Sequence, residues 1–322
     1  MTWMVRCLVV LTCSILTTPA AGQPVAASNR VDLRFGWKPG IEISVTAIRT
    51  RTRSAEQNVS RTSTSRYTLR VDADGENLRI RFTDPEFIAG DAPASAPSQD
   101  QSRIMERLAD LMPDFLVSPD GEFVGIHDLP GFQVKFRAFL AEVMPPDVDA
   151  RFVEQMQSLL TNDEFLNARA SEEWNTIVGA WVGSSFEVGV PAEFVRVEPI
   201  EVFSGNEIRM NYAFAAGAEF ACRRGNVERR CTHLAMRSMA DPEDTKRMID
   251  ELRAKLLPEE AYSVPDFNSL EIDNKLRVTT EPDGLIPHAY SLTKIIRGTL
   301  ATPDGDLPFE QIDATEVRYV YR

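Results

Sequence analysis

Residues able to do chemistry are few in this chain of 322 residues. The three histidines, His127, His233 and His288, stand far apart, and no HxxxH or HxH pair offers zinc two ligands from one element. No GxSxG elbow, P-loop or dinucleotide fingerprint occurs. Ser291-Leu-Thr-Lys294 matches the SxxK of penicillin-binding enzymes, where a helix start folds the lysine back onto the serine. Here the fragment lies in an alternating segment, which points residues three apart to opposite faces, and the companion SDN and KTG motifs are missing. His127-Asp128 are strand neighbours, and they too face opposite ways. The acids are dispersed, so no carboxylate pair stands out for acid–base work. The reading is of no catalytic residue, no metal site and no cofactor.

Cysteine and arginine carry clearer signals. Of four cysteines, Cys7 and Cys13 fall in the N-terminal leader. Cys222 and Cys231 flank a short connection with Gly225 near its middle, so in an oxidising compartment they are expected to bridge across a hairpin, for about 2–3 kcal/mol. Arg223, Arg224, Arg229 and Arg230 surround the tip of that hairpin. The favoured reading pairs them with the protein's own acids. The competing one is a rigid basic finger for anionic lipid headgroups, sulfated or phosphorylated glycan, or an acidic partner. Arg49, Arg51 and Arg53 lie two apart and extend the face that Ile41, Ile43 and Val45 bury, opposite a Ser/Thr-rich return strand.

The N-terminus MTWMVRCLVVLTCSILTTPAAG has one positive residue, a short apolar run and small residues at its end, the pattern of a secretory signal peptide over 1–22. No later segment is long and apolar enough for a membrane-spanning helix. The net charge of −13 argues against nucleic acid as a partner. The expected location is therefore periplasmic or secreted.

The elements that must position these residues follow from periodicity. Val31, Leu33, Phe35 and Trp37 share one strand face, and Tyr67–Val71 and Leu78–Phe82 alternate around Asp74-Gly75. Pro-Asp-Gly recurs at 119–121, 282–284 and 303–305, always between strand-like runs and without the acid ladder of a calcium loop, so these tripeptides read as turns. Residues 89–102 read as an Ala/Pro/Ser loop and 103–183 as a mainly helical insert. In that insert Phe132, Phe136 and Phe139 form one stripe, Trp174 and Trp181 belong to another, and Thr161 to Glu164 has capping-box spacing. Asp241 and Pro242 start a further helix. Three long strands close the chain. The expected fold is α+β: one domain over 23–322, with a large curved antiparallel sheet, a meander of hairpins, and amphipathic helices packed on one face.

The hairpin YTLRVDADGENLRIRF, the helix GFQVKFRAFLAEVM and the closing strand EVRYVYR, behind a signal peptide, resemble exported lipid carriers of the LolA-like β-clam type. They resemble uncharacterised exported β-rich families as well. The resemblance implies a non-enzymatic protein that holds a lipid, another apolar ligand or a partner between sheet and helices. Phe132, Phe136, Phe139, Trp174 and Trp181 are the candidate lining. The alternatives are a hydrolase of envelope material with an unrecognised site and an envelope scaffold protein.

Overall fold

The computed structural model describes residues 29–54, 59–89, 111–143, 160–199, 207–256, 266–302 and 305–321, together with 154, 157 and 158. The expected signal peptide and nearly all of the 89–102 loop lie outside these residues. So does the start of the helical insert.

A short strand β1 (Arg30–Asp32) precedes a first set of hairpins, β2 (Glu42–Ser54), β3 (Val59–Asp74), β4 (Asn77–Ala89), β5 (Phe115–Val117) and β6 (Phe123–Ile126). Helices α1 (Leu129–Val143) and α2 (Asp163–Ile177) follow, then a 3-10 turn over Gly179–Trp181. Next come β7 (Ser185–Glu187), β8 (Ala192–Pro199), β9 (Glu207–Ala216), β10 (Phe220–Arg224) and β11 (Val227–Ala240). Helix α3 (Pro242–Leu256) precedes the long strands β12 (Asp266–Glu281), β13 (Ile286–Thr302) and β14 (Gly305–Tyr321).

Twelve strands form one open sheet, ordered β6-β5-β4-β3-β2-β14-β13-β12-β11-β9-β8, with β10 paired to the far end of β11. Every ladder in it is antiparallel. The sheet is two meanders joined where the first long strand meets the last, β2 against β14. The Asp-Gly sites at 74–75, 120–121 and 283–284 are turns, as their chemistry requires, and the copy at 303–305 lies partly outside the described residues. Gly75 and Gly121 take φ values of +60° and +91°, which cost glycine little. Asp74 pairs with Asn77, so Gly75-Glu76, one residue later than expected, forms the tight connection.

This topology leaves one task for the insert. The first meander ends at the β6 edge and the second begins at the β8 edge, so the intervening chain must travel across a sheet face. It does so through α2, which packs on β6 and sends Glu173 to the hydroxyls of Tyr67 on β3 and Tyr290 on β13. Trp174 and Trp181 are thereby pressed into the core, both at most 2% exposed. Trp174 meets Trp37 at 5.1 Å and Phe115 at 5.8 Å, and its Nε1 donates to the Gly121 carbonyl. Trp181 meets Phe214 at 5.0 Å.

The N-terminal segment shares this cover. Val31, Leu33 and Trp37 are buried as their alternation predicts, but β1 is only three residues long. Beyond it, Leu33, Arg34 and Gly36 donate backbone hydrogen bonds to Ser184, Pro282 and Gly284 in loops, so no ladder continues. The start of α2 also moves by one residue: Asn162 is the cap, accepting from the Phe165 amide at 2.7 Å. Thr161 is buried, and its hydroxyl turns back to the Gln157 carbonyl. Asp241 caps α3 as expected, accepting from the amides of Glu243 and Asp244.

Candidate functional site on the inner face of the sheet

Register divides the covered face into bands. The row Ala47–Val317–Tyr290–Val278–Leu234–Ala216 is buried from β2 to β9 beneath the insert. One step along the strands on the same face, the row becomes Arg49–Thr315–Leu292–Leu276–Met236–Phe214. The next is Arg61–Arg51–Asp313–Lys294–Asn274–Ser238–Tyr212–Phe194, a polar line crossing eight strands. Arg53, Gln311, Ile296 and Ile272 follow. One half of the inner face is thus sealed and the other is open. The arginine row read from the sequence continues the core face in the structure.

Electrostatics in the open half are lopsided for an acidic protein. Arg51 donates to Asp313 at 2.5 Å and Arg53 to Gln311 at 2.8 Å. Among the described residues no acid lies within ion-pair distance of Arg49, Arg61 or Lys294. Arg51 and Arg61 are direct cross-strand partners, a like-charge pairing that costs a sheet stability, and Asp313 answers the charge of Arg51 alone. Farther along the same face is an apolar platform whose rings lie on β9 and β8, five and six strands from Arg51. Phe194 stacks on Tyr212 and on Phe214, each at 5.5 Å, and Leu292, Ile296 and Ile272 are only half-buried.

Glu173 sits on the seam between the two halves. Its carboxylate accepts from Tyr67 at 3.5 Å and from Tyr290 at 3.3 Å. Burial holds the carboxyl above its usual range, while the positive charge of Arg49 and the two hydroxyls pull the other way. Burial and the facing carboxylate push both tyrosines up in turn.

The five aromatic residues proposed as a lining do not meet. Trp174 and Trp181 belong to the core, while Phe132, Phe136 and Phe139 stack on one another along α1, half-buried. The four arginines of the hairpin tip each have an acid: Arg224 and Arg229 share Glu281 at 3.4 and 3.7 Å, Arg230 meets Glu219 at 2.7 Å and Arg223 approaches Glu228 at 4.0 Å. Cys222 and Cys231 form the expected disulfide. Ser291 and Lys294 lie on opposite faces of β13, as the strand period requires. His127 contacts Asp74, and Asp128 instead caps α1 through the Gly131 amide.

On the opposite face a shallow hollow of about 420 Å³ is floored by Ala213, Ala215 and Ala235. Arg237 and Lys275 at its rim are tied to Asp273, whose carboxyl they hold below the usual range, Arg237 most through a two-pronged hydrogen bond. That hollow therefore has less free charge to offer a ligand than the inner face.

No family model matches the chain, and no curated protein matches it. Among solved structures it is similar to lipovitellin, in a structure titled for its lipid–protein interactions, with 8% identity and a TM-score of 0.37 over 89% of this chain. The match spans 25% of the lipovitellin chain, so this protein corresponds to about a quarter of that one. A likeness this loose decides neither fold nor ligand. Among the described residues no helix is long and apolar enough to cross a membrane.

Proposed function

We propose that this is an exported, non-enzymatic binding protein that takes an anionic amphiphile on the open half of its inner sheet face. The acidic headgroup sits between Arg51 and Arg61, within reach of Arg49 and Lys294. The apolar chain lies along Leu292 and Ile296 on β13, two strands from Arg51. The observation that carries this reading is the direct pairing of Arg51 with Arg61 on the same face as the core. An anion between them turns a repulsive pair into charge-assisted hydrogen bonds. The disulfide supports export, because such bonds persist in oxidising compartments.

The sealed half offers no room for the apolar chain: Trp174, Trp181 and Tyr290 are close-packed there. The ligand is therefore held on a surface, and its exchange needs no opening of the core.

Co-sedimentation with phosphatidylglycerol vesicles, against phosphatidylcholine vesicles, tests this directly. The parent chain is expected to bind the anionic vesicles more tightly and to weaken with salt. Arg51→Ala/Arg61→Ala is expected to lose about tenfold in affinity, ~1.4 kcal/mol. Equal binding to both vesicle types, or a double variant that behaves as the parent, contradicts the proposal. Native mass spectrometry of gently purified protein adds a second readout, a bound acidic lipid mass that solvent extraction removes.

A further inference from the structure

The disulfide hairpin brings together groups that sequence spacing keeps apart. His288, at the start of β13, places a ring nitrogen so that it and the sulfurs of Cys222 and Cys231 all lie within 4.8 Å of one another. Its Nε2 is 3.1 Å from the Glu281 carboxylate, and both side chains are largely buried, at 15% and 10% exposure. Glu281 is in turn held by Arg224 and Arg229. A buried imidazole fixed by a carboxylate beside two sulfurs is the outline of a thiolate–imidazole metal centre with its outer support.

We propose that the dithiol form of this hairpin is a zinc site, with Cys222, Cys231 and His288 as ligands and Glu281 as the group that positions the imidazole. In the disulfide form each sulfur is bonded to the other and neither is a thiolate, so the cation has no site. Reduction by a dithiol breaks the Sγ–Sγ bond. The two electrons and two protons come from the reductant, which closes to its own disulfide. Zinc then displaces the two thiol protons. The reverse needs a disulfide oxidant: its S–S bond breaks to two thiolates that take two protons from water to become thiols, the Cys222–Cys231 bond forms and the cation leaves. Two thiolates on one zinc sit about 3.8 Å apart at tetrahedral angles with Zn–S near 2.3 Å. The 5.8 Å Cα separation of the pair leaves room for that spacing. The chemistry selects a borderline cation with a taste for sulfur and imidazole, over calcium or magnesium.

The test titrates Zn²⁺ into the full chain, reduced by a phosphine and stripped of metal, against a chromophoric chelator, with circular dichroism followed in parallel. One equivalent is expected in the reduced chain and none in the oxidised chain. His288→Ala should weaken binding at least tenfold, and Glu281→Gln about tenfold. Oxidised glutathione should release the metal. A reduced chain that keeps its sheet signal yet binds no zinc overturns the proposal, and so does His288→Ala titrating as the parent does. If reduction loosens the fold, the readout becomes the thermal midpoint of the reduced chain. Zinc must raise it in the parent and leave it unmoved in His288→Ala, and any other pattern counts against the site.

Discussion

Trp174→Ala is expected to cost about 3–5 kcal/mol of stability, enough to unfold much of the population of a marginally stable chain. The residue is 2% exposed and lies where α2 crosses the sheet. Three rings, those of Phe35, Trp37 and Phe115, pack against it edge-on within 6 Å. Truncation leaves a cavity they cannot fill together, because Phe35 and Trp37 are held in the N-terminal segment and Phe115 in β5. It also removes the donor from the Gly121 carbonyl, in the turn that joins β5 to β6. Trp174→Phe separates the two effects: it keeps most of the packing, loses the hydrogen bond and should cost about 1–2 kcal/mol. Urea denaturation measures both. A loss below about 1 kcal/mol for Trp174→Ala would mean that the crossing helix does not seal the face.

Glu173→Gln is expected to stabilise the protein at neutral pH and to make no difference in acid. Burial raises the carboxyl's pKa in the folded chain above its unfolded value. Between those two values the folded state binds more protons than the unfolded one, so stability is full below the unfolded pKa and falls as pH rises through the folded one. Gln keeps the acceptor for Tyr67 and Tyr290 and removes the ionisation, so the variant's stability should be flat across the same window. Stability curves from pH 4 to pH 8 decide it. A variant less stable than the parent at pH 7 would show that the ionised carboxylate, through Arg49, is what the seam requires.

Much of this architecture is legible in the residues, and the limits are physical. Alternation places Ile43, Val45 and the arginine row on one face because strand period is a local property, and the Asp-Gly turns identify neighbours. Neither speaks to the pairing of β2 with β14, which joins residues about 270 apart and closes the two meanders into one sheet. Without that pairing the crossing of α2 cannot be foreseen. Trp174 and Trp181 then look as suited to a ligand cavity as to a core. Nothing in the sequence SEEW separates Glu173 from Glu172, and only the crossing turns Glu173 toward Tyr67 and Tyr290. The pairing of Arg61 with Arg51 depends on the length of the β2–β3 connection, and the approach of His288 to the disulfide depends on the placement of β13. The N-cap shift from Thr161 to Asn162 is smaller in scale: both residue types cap well, and tertiary burial of Thr161 makes the choice.

The central claim is that one inner face is divided into a sealed half and an open, basic half that holds an acidic amphiphile. The most direct measurement is photo-crosslinking with an anionic alkyl phosphate carrying a diazirine near its headgroup, followed by peptide mapping. The account predicts label on β2 and β3 around Arg49 to Arg61 and on β13 and β14 around Lys294 and Asp313, suppressed in Arg51→Ala/Arg61→Ala. Label concentrated on α1, on the hairpin tip or on the hollow of the opposite face, and unchanged in that variant, would contradict it.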